Sequence, residues 1–199
     1  RLKHFPAPGA EPVLVDGGPE VAVVGQGGLL DVMIPADFAQ TREVWLSYAT
    51  AQRSGEGTAV GKGRLSDDGT RLEGFTQLFA IPEGSSGGRH FGSRLVEATD
   101  GTVFLTVGDR GTGPEGRQAQ DPMRGEGKVI HLTRDGAPAT TLDGALPGVY
   151  SWGHRNAQGA TLDLDGRFLL VEHGARGGDE LNAPEAGKNY GWPVISYGE

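Results

Sequence analysis

A four-strand pattern that returns every sixty-odd residues restricts this chain more than any other feature. Three hairpins share one plan. They are Leu29–Ile34 with Glu43–Ala49, Arg94–Ala98 with Thr102–Val107, and Ala160–Leu164 with Arg167–Val171. The last two turn on Asp100-Gly101 and Asp165-Gly166, 65 positions apart. Asp-Gly between alternating apolar runs marks a tight hairpin, because a type I′ turn needs positive φ at both central residues. Between them fall a hairpin of Thr58–Leu65 with Leu72–Ile81 and one of Lys128–Thr133 with Ala139–Leu142. Leu2–Phe5 with Pro12–Val15 opens the chain in the same manner. The turn glycines Gly9, Gly69 and Gly136 stand 60 and 67 positions apart. Glycine supplies 35 of the 199 residues without a three-residue period, so the excess belongs to turns and not to a collagen repeat.

Four strands per repeat is the pattern of propeller blades with sizeable loops. The period-2 alternation excludes a helical solenoid, and no segment is read as a helix. A two-sheet immunoglobulin-like sandwich is the plain rival, but it does not repeat a four-strand unit. The expected class is all-β, with about three four-stranded antiparallel blades. They divide as the end of one blade over 1–16, blades over 26–82 and 90–142, and the start of another over 155–199. Propellers have about 4–8 blades, so the expectation is a processed or cut chain whose ring is completed elsewhere. Six blades at this period need roughly 360–390 residues. With no cysteine, disulfides and Cys-type zinc sites are excluded. A formal charge of −8 disfavours nucleic acid, and no apolar run is long enough to span a membrane.

The polar residues respect the same period. A hairpin brings its two free ends together, so the loops before the first strands and after the second strands share one face. Gln26, His90 and Arg155 precede successive first strands at spacings of 64 and 65. Asp109 and His173 follow successive second strands, again 64 apart. His90 faces Asp109 across one hairpin, and a carboxylate that fixes an imidazole tautomer makes a general base. An isolated histidine is otherwise an ordinary surface residue. Arg155 is a cation for developing negative charge or a salt-bridge partner of an acid such as Asp179. The loop His173–Asp179 lacks the Lys-Ser/Thr ending of a phosphate loop; it is either a wide turn or a source of carbonyls for a hard cation. His4, His131 and His154 read as structural.

Six stretches carry a resemblance: Gly25–Asp31, Arg89–Leu95, Val107–Gly111, Ser151–Gly159, Glu172–Asn182 and Gly187–Pro193. In order and spacing the chain resembles the aldose sugar dehydrogenase branch of the soluble quinoprotein (PQQ) glucose dehydrogenase family. That resemblance implies a six-bladed propeller with PQQ over the channel mouth, a calcium ion beside it, and oxidation of an aldose C1 hydroxyl with an external electron acceptor. It implies His90 as base, Asp109 as its orienting carboxylate and Arg155 as the catalytic cation that also contacts the cofactor. Gln26, Asn156, His173 and Asp179 are implied on the substrate and cofactor side. The carbonyls of Gly174 and Ala175 are implied as ligands of the catalytic calcium, and Glu180 and Tyr190 as ligands of a structural one, with a further ligand at or just past Glu199. A periplasmic or secreted location is implied as well. Two departures stand out: Ala175 where the family often has Pro, and Arg89 where glucose dehydrogenases proper have Asp. The cationic residues that hold the PQQ carboxylates belong to the family's C-terminal blades, which are expected to follow this sequence. A non-catalytic propeller binding module, similar to the hedgehog-interacting protein relatives, is the alternative on the same fold.

Overall fold

The computed structural model describes residues 1–111 and 114–196; Glu199 lies outside them. β1 (Leu2–His4) and β2 (Val13–Val15) form an antiparallel hairpin. β3 (Leu29–Met33), β4 (Glu43–Gln52), β5 (Gly55–Leu65) and β6 (Leu72–Ala80) form a four-stranded antiparallel sheet in chain order. β7 (Gly92–Glu97), β8 (Val103–Val107), β9 (Lys128–Leu132) and β10 (Val149–Trp152) form the next. β11 (Ala157–Leu162), β12 (Phe168–Glu172) and β13 (Glu180–Asn182) make a third, three-stranded sheet. β14 (Lys188–Asn189) lies parallel against β10, so the chain returns to the second sheet after the third.

The second sheet shows how alternation stacks these layers. Leu95, Leu105 and Ile130 point to one face and pack with Trp45 and Val60 of the first sheet and with Ile81, which follows it. Their neighbours Val96, Phe104 and Val129 point to the other and pack with Ala157, Phe168 and Leu170 of the third. The far face of the first sheet, through Val44, Leu46 and Tyr48, meets Val15 of the opening hairpin. A sheet buried on both faces inside a series of sheets is propeller stacking and rules out the two-layer sandwich. The first strands β3, β7 and β11 are neighbours, with β7 between the other two. Side chains stitch this inner row. Ser47 Oγ donates to Ser93 O at 2.6 Å, and Thr106 Oγ1 donates to Ala157 O at 2.7 Å.

Two local expectations need correcting. The fourth strand of the second sheet is Val149–Trp152, and Ala139–Leu142 is not a strand. The latter segment gives only scattered bonds, such as Ala139 N–H to His131 O at 3.0 Å, while β-branched and aromatic Val149, Tyr150 and Trp152 form the better strand. The chain also holds one turn of α-helix at Phe38–Thr41 and a 3₁₀ segment at Pro114–Gln120, where none was expected.

Candidate active site

The loops before β3 and β7 meet directly, and the loop before β11 meets the loop after β8. Gln26 N–H donates to Gly88 O at 2.7 Å, and Gln26 Oε1 accepts from His90 N–H at 2.8 Å. Asp109 N–H donates to Arg155 O at 2.8 Å. The three residues one repeat apart therefore converge at one end of the inner strands, as their period demands.

His90 sits at this junction with φ of 53°, a left-handed conformation that asparagine, aspartate and histidine tolerate best. Its carbonyl lies where a side chain on Gly108 would be: a Cβ there would stand 2.0 Å from His90 O. Glycine at 108 thus lets the loop after β8 close against the loop before β7. His90 Nδ1 then lies 2.7 Å from Asp109 Oδ1. The Asp109 carboxylate is almost fully buried, with 2% of its side chain exposed. Gly111 N–H also donates to Oδ1 at 2.8 Å, and Trp192 Nε1–H donates to Oδ2 at 2.7 Å. Both can only donate, so the carboxylate is an acceptor and His90 Nδ1 carries the proton towards it. The unprotonated Nε2 has no hydrogen bond among the described residues and is left for a reacting proton.

Arg155 is braced on the other side of the site. Its N–H donates to Glu172 Oε2 at 2.7 Å, and its Nη1 donates to His173 O at 3.1 Å. Its guanidinium carbon lies 5.2 Å from the centre of the Trp192 ring. Its Nε is buried without a partner. Arg155 makes no salt bridge with Asp179, which contacts His173 Nδ1 at 3.6 Å and accepts Gly174 N–H at 2.9 Å. Asn156 is buried and its Oδ1 accepts Gly92 N–H at 3.2 Å, holding the start of β7 beneath His90.

The loop 173–179 folds tightly. A Cβ on Gly174 would stand 2.0 Å from Gly177 O and 2.7 Å from Gly178 O. The carbonyls of Gly174 and Ala175 accept no hydrogen bond among the described residues. Among those residues no cluster of three or more His, Cys, Asp or Glu side chains is arranged for a metal. A cation here would take backbone carbonyls, the donors a hard ion prefers. Glu180 lines the same small cleft as Arg155, Glu172, His173 and Gly174. Tyr190 has its hydroxyl engaged by Ala183 O and Glu185 N–H, each at 3.0 Å, and its ring stacked on His154 at 4.8 Å. An orphaned Arg155 N–H beside unspent carbonyls is a donor set that fits an anionic cofactor with a hard cation.

Three groups escaped the sequence reading. Trp192 reaches Asp109 from 83 residues away. Gln118 Nε2–H donates to Asp109 O. Lys128, fully buried, donates its Nζ to Glu126 O at 2.6 Å, Ala119 O at 3.0 Å and Gln118 O at 3.3 Å, which fixes the loop that carries Gln118. Burial pushes its ammonium down to about 7. The histidines expected to be structural are placed accordingly. His154 is buried between Ser151 Oγ and Glu172 Oε1, at 2.9 and 3.1 Å. His131 is stacked on Phe104 and held by Thr102 and Thr140.

Stacked antiparallel sheets, with an imidazole–carboxylate pair and a braced cation at one end of the inner strands, define this chain as part of a β-propeller. A family model described as glucose/sorbosone dehydrogenase matches residues 1–199. The aldose sugar dehydrogenase YliI of Escherichia coli (strain K12) is 42% identical over 205 residues, covering 100% of this chain and 54% of that protein. The apo structure of the soluble aldose sugar dehydrogenase from Escherichia coli superposes with a TM-score of 0.87 at 41% identity, over 98% of this chain and 57% of that one. The PQQ-bound aldose sugar dehydrogenase of Streptomyces coelicolor superposes with a TM-score of 0.81 at 30% identity, over 94% of this chain and 54% of that one. This chain belongs to the glucose/sorbosone dehydrogenase family. It spans about half the length of the curated relative it matches. Among the described residues no helix is long and apolar enough to cross a membrane.

Proposed function

We propose that this chain carries the proton-abstracting half of a PQQ- and calcium-dependent aldose dehydrogenase that oxidises the sugar C1 hydroxyl to the lactone. The observation that carries the proposal is the 2.7 Å contact from His90 Nδ1 to a buried, fully hydrogen-bonded Asp109, with Nε2 left open. His90 Nε2 takes the C1 hydroxyl proton as hydride leaves C1. Asp109 holds the tautomer that makes this possible and stabilises the imidazolium that results. Gln26 fixes the His90 backbone through Oε1 and keeps its amide N–H₂ for the substrate. Arg155 offers a fixed positive charge where negative charge develops. When bound, PQQ supplies the hydride acceptor and calcium polarises its quinone. Arg155, Asn156, His173 and Asp179 are the proposed cofactor-side residues. Gly174 and Ala175 would give carbonyls to the catalytic calcium, and Glu180 and Tyr190 would serve a structural one. An external electron acceptor and a periplasmic or secreted setting belong to the same proposal.

The rest of a six-bladed ring is part of the proposal, since this chain covers 54% of its curated relative. Apolar groups await cover on both open sides. Val171 and Leu181, cross-strand partners on the third sheet, are 49% and 70% exposed. An apolar hollow lined by Leu2, Leu14, Val21 and Val23 opens at the first hairpin. The test is dye reduction by the full-length polypeptide with aldoses, PQQ and calcium. Turnover that requires all three supports the reading. PQQ binding without turnover on any aldose points instead to a binding module.

A further inference from the structure

We propose that Trp192 is a positioning residue that locks the His90–Asp109 pair and couples it to Arg155; this deepens the reading above and rests on it. Three observations converge on one indole. Its Nε1–H gives Asp109 Oδ2 a hydrogen bond of 2.7 Å, the one partner of that oxygen among the described residues. Its ring lies 5.2 Å from the Arg155 guanidinium carbon. Its own backbone is held at both ends. Trp192 N–H donates to Gly153 O at 2.9 Å, and Gln120 Nε2–H donates to Trp192 O at 2.6 Å. A third element thus reaches between the loops after β8 and before β11 and touches the carboxylate of one and the cation of the other.

The division of labour on Asp109 follows from its donors. Oδ1 takes His90 Nδ1 and Gly111 N–H, and Oδ2 takes the indole. A buried carboxylate oxygen that loses its only donor carries a desolvation penalty, relieved by rotating the carboxylate or binding a proton. Either change loosens the hold on His90 Nδ1–H, so the imidazole populates the other tautomer, with its proton on Nε2 where the base lone pair is needed. The indole therefore acts through Asp109 and never needs to touch the sugar.

Trp192→Phe keeps an aromatic face for Arg155 and removes only the N–H. Imidazole ¹⁵N resonances of the full-length protein report the His90 tautomer without cofactor or substrate. The unmodified protein is expected to show one tautomer, protonated at Nδ1, and Trp192→Phe a mixture. In the same variant kcat is expected to fall about tenfold or more with the sugar KM unchanged, the scale of one hydrogen bond to a charged group. A folded Trp192→Phe protein with an unaltered His90 tautomer overturns the assignment. If the tautomer shifts but no aldose is oxidised even by the unmodified protein, the proposed function fails while the role of Trp192 stands. If Trp192→Phe does not fold, Asp109→Asn is read through the Trp192 indole ¹H–¹⁵N resonance. A displaced resonance supports the contact, and an unmoved one overturns it.

Discussion

The two sides of the candidate site are finished to different degrees. On the His90 side every polar atom of Asp109 is spoken for, and 2% of its side chain sees solvent. On the His173–Asp179 side both members of the facing pair are open to solvent: His173 is 56% exposed and Asp179 66%, and His173 Nδ1 stands 3.6 Å from Asp179 Oδ2. The carbonyls of Gly174 and Ala175 have no donors among the described residues. The imidazole–carboxylate pair is thus fixed by packing within this chain, whereas the carbonyls proposed for a cation are left without hydrogen-bond donors among the described residues. On the reading proposed above, one half of the chemistry would be a property of the fold and the other a property of the fold plus an ion.

The largest expected effect tests the finished side. His90→Ala in the full-length protein should lower kcat by about 10²–10⁴-fold, the range a positioned general base contributes, while PQQ binding followed by absorbance is retained. Retained turnover would remove His90 from the mechanism. The open side should respond to a different treatment. Calcium at a hundredfold excess over its Kd should stabilise the folded protein by about 2.7 kcal/mol, and a chelator should reverse this in a melting experiment. Gly174→Ala should abolish that gain, because the new methyl would meet two backbone carbonyls, at 2.0 and 2.7 Å. Calcium stabilisation that survives Gly174→Ala would place the ion elsewhere. A His90 tautomer that changes on chelation would erase the distinction between the two sides.

What the sequence disclosed and what it hid follow one rule. Gln26, His90 and Arg155 were legible because a propeller turns a spacing of one repeat into adjacency, and the backbone bonds between their loops are the result. Asp109 was legible because it crosses a single hairpin from His90. The stacking order was legible in alternations such as Leu95 and Val96. Trp192 was not, since its 83-residue reach to Asp109 matches no period and depends on the chain returning to β10 through β14. The strand at Val149–Trp152 was displaced onto Ala139–Leu142 because a turn at Asp135-Gly136 suggests a partner immediately after it. Lys128 opens a strand and gives no sign in the sequence that it is buried. Only the folded loop brings three carbonyls to its ammonium.

Lys128 supplies the smallest and most exacting test, because it asks how far the finished side extends. Its ammonium supports the loop whose Gln118 holds Asp109 O, so the preorganisation includes a buried cation behind the carboxylate. Burial lowers the lysine from 10.5 to about 7 in the folded protein. Below the folded value both states hold the proton, and the cost of burying the charge is fully present. Between the folded value and 10.5 the unfolded chain binds the proton that the folded protein has released, so this lysine's contribution to stability rises with pH. The Glu126 and Asp121 carboxylates oppose the shift by favouring the charged form, which narrows the pH window over which the slope approaches its limit of about 1.4 kcal/mol per pH unit. Urea unfolding of the unmodified protein and of Lys128→Met, compared from neutral to alkaline pH, isolates the term. The stability difference should move in favour of the lysine protein as pH rises. A difference that stays flat would mean the ammonium is as well solvated by its carbonyls as by water, and the finished side would then end at Gln118.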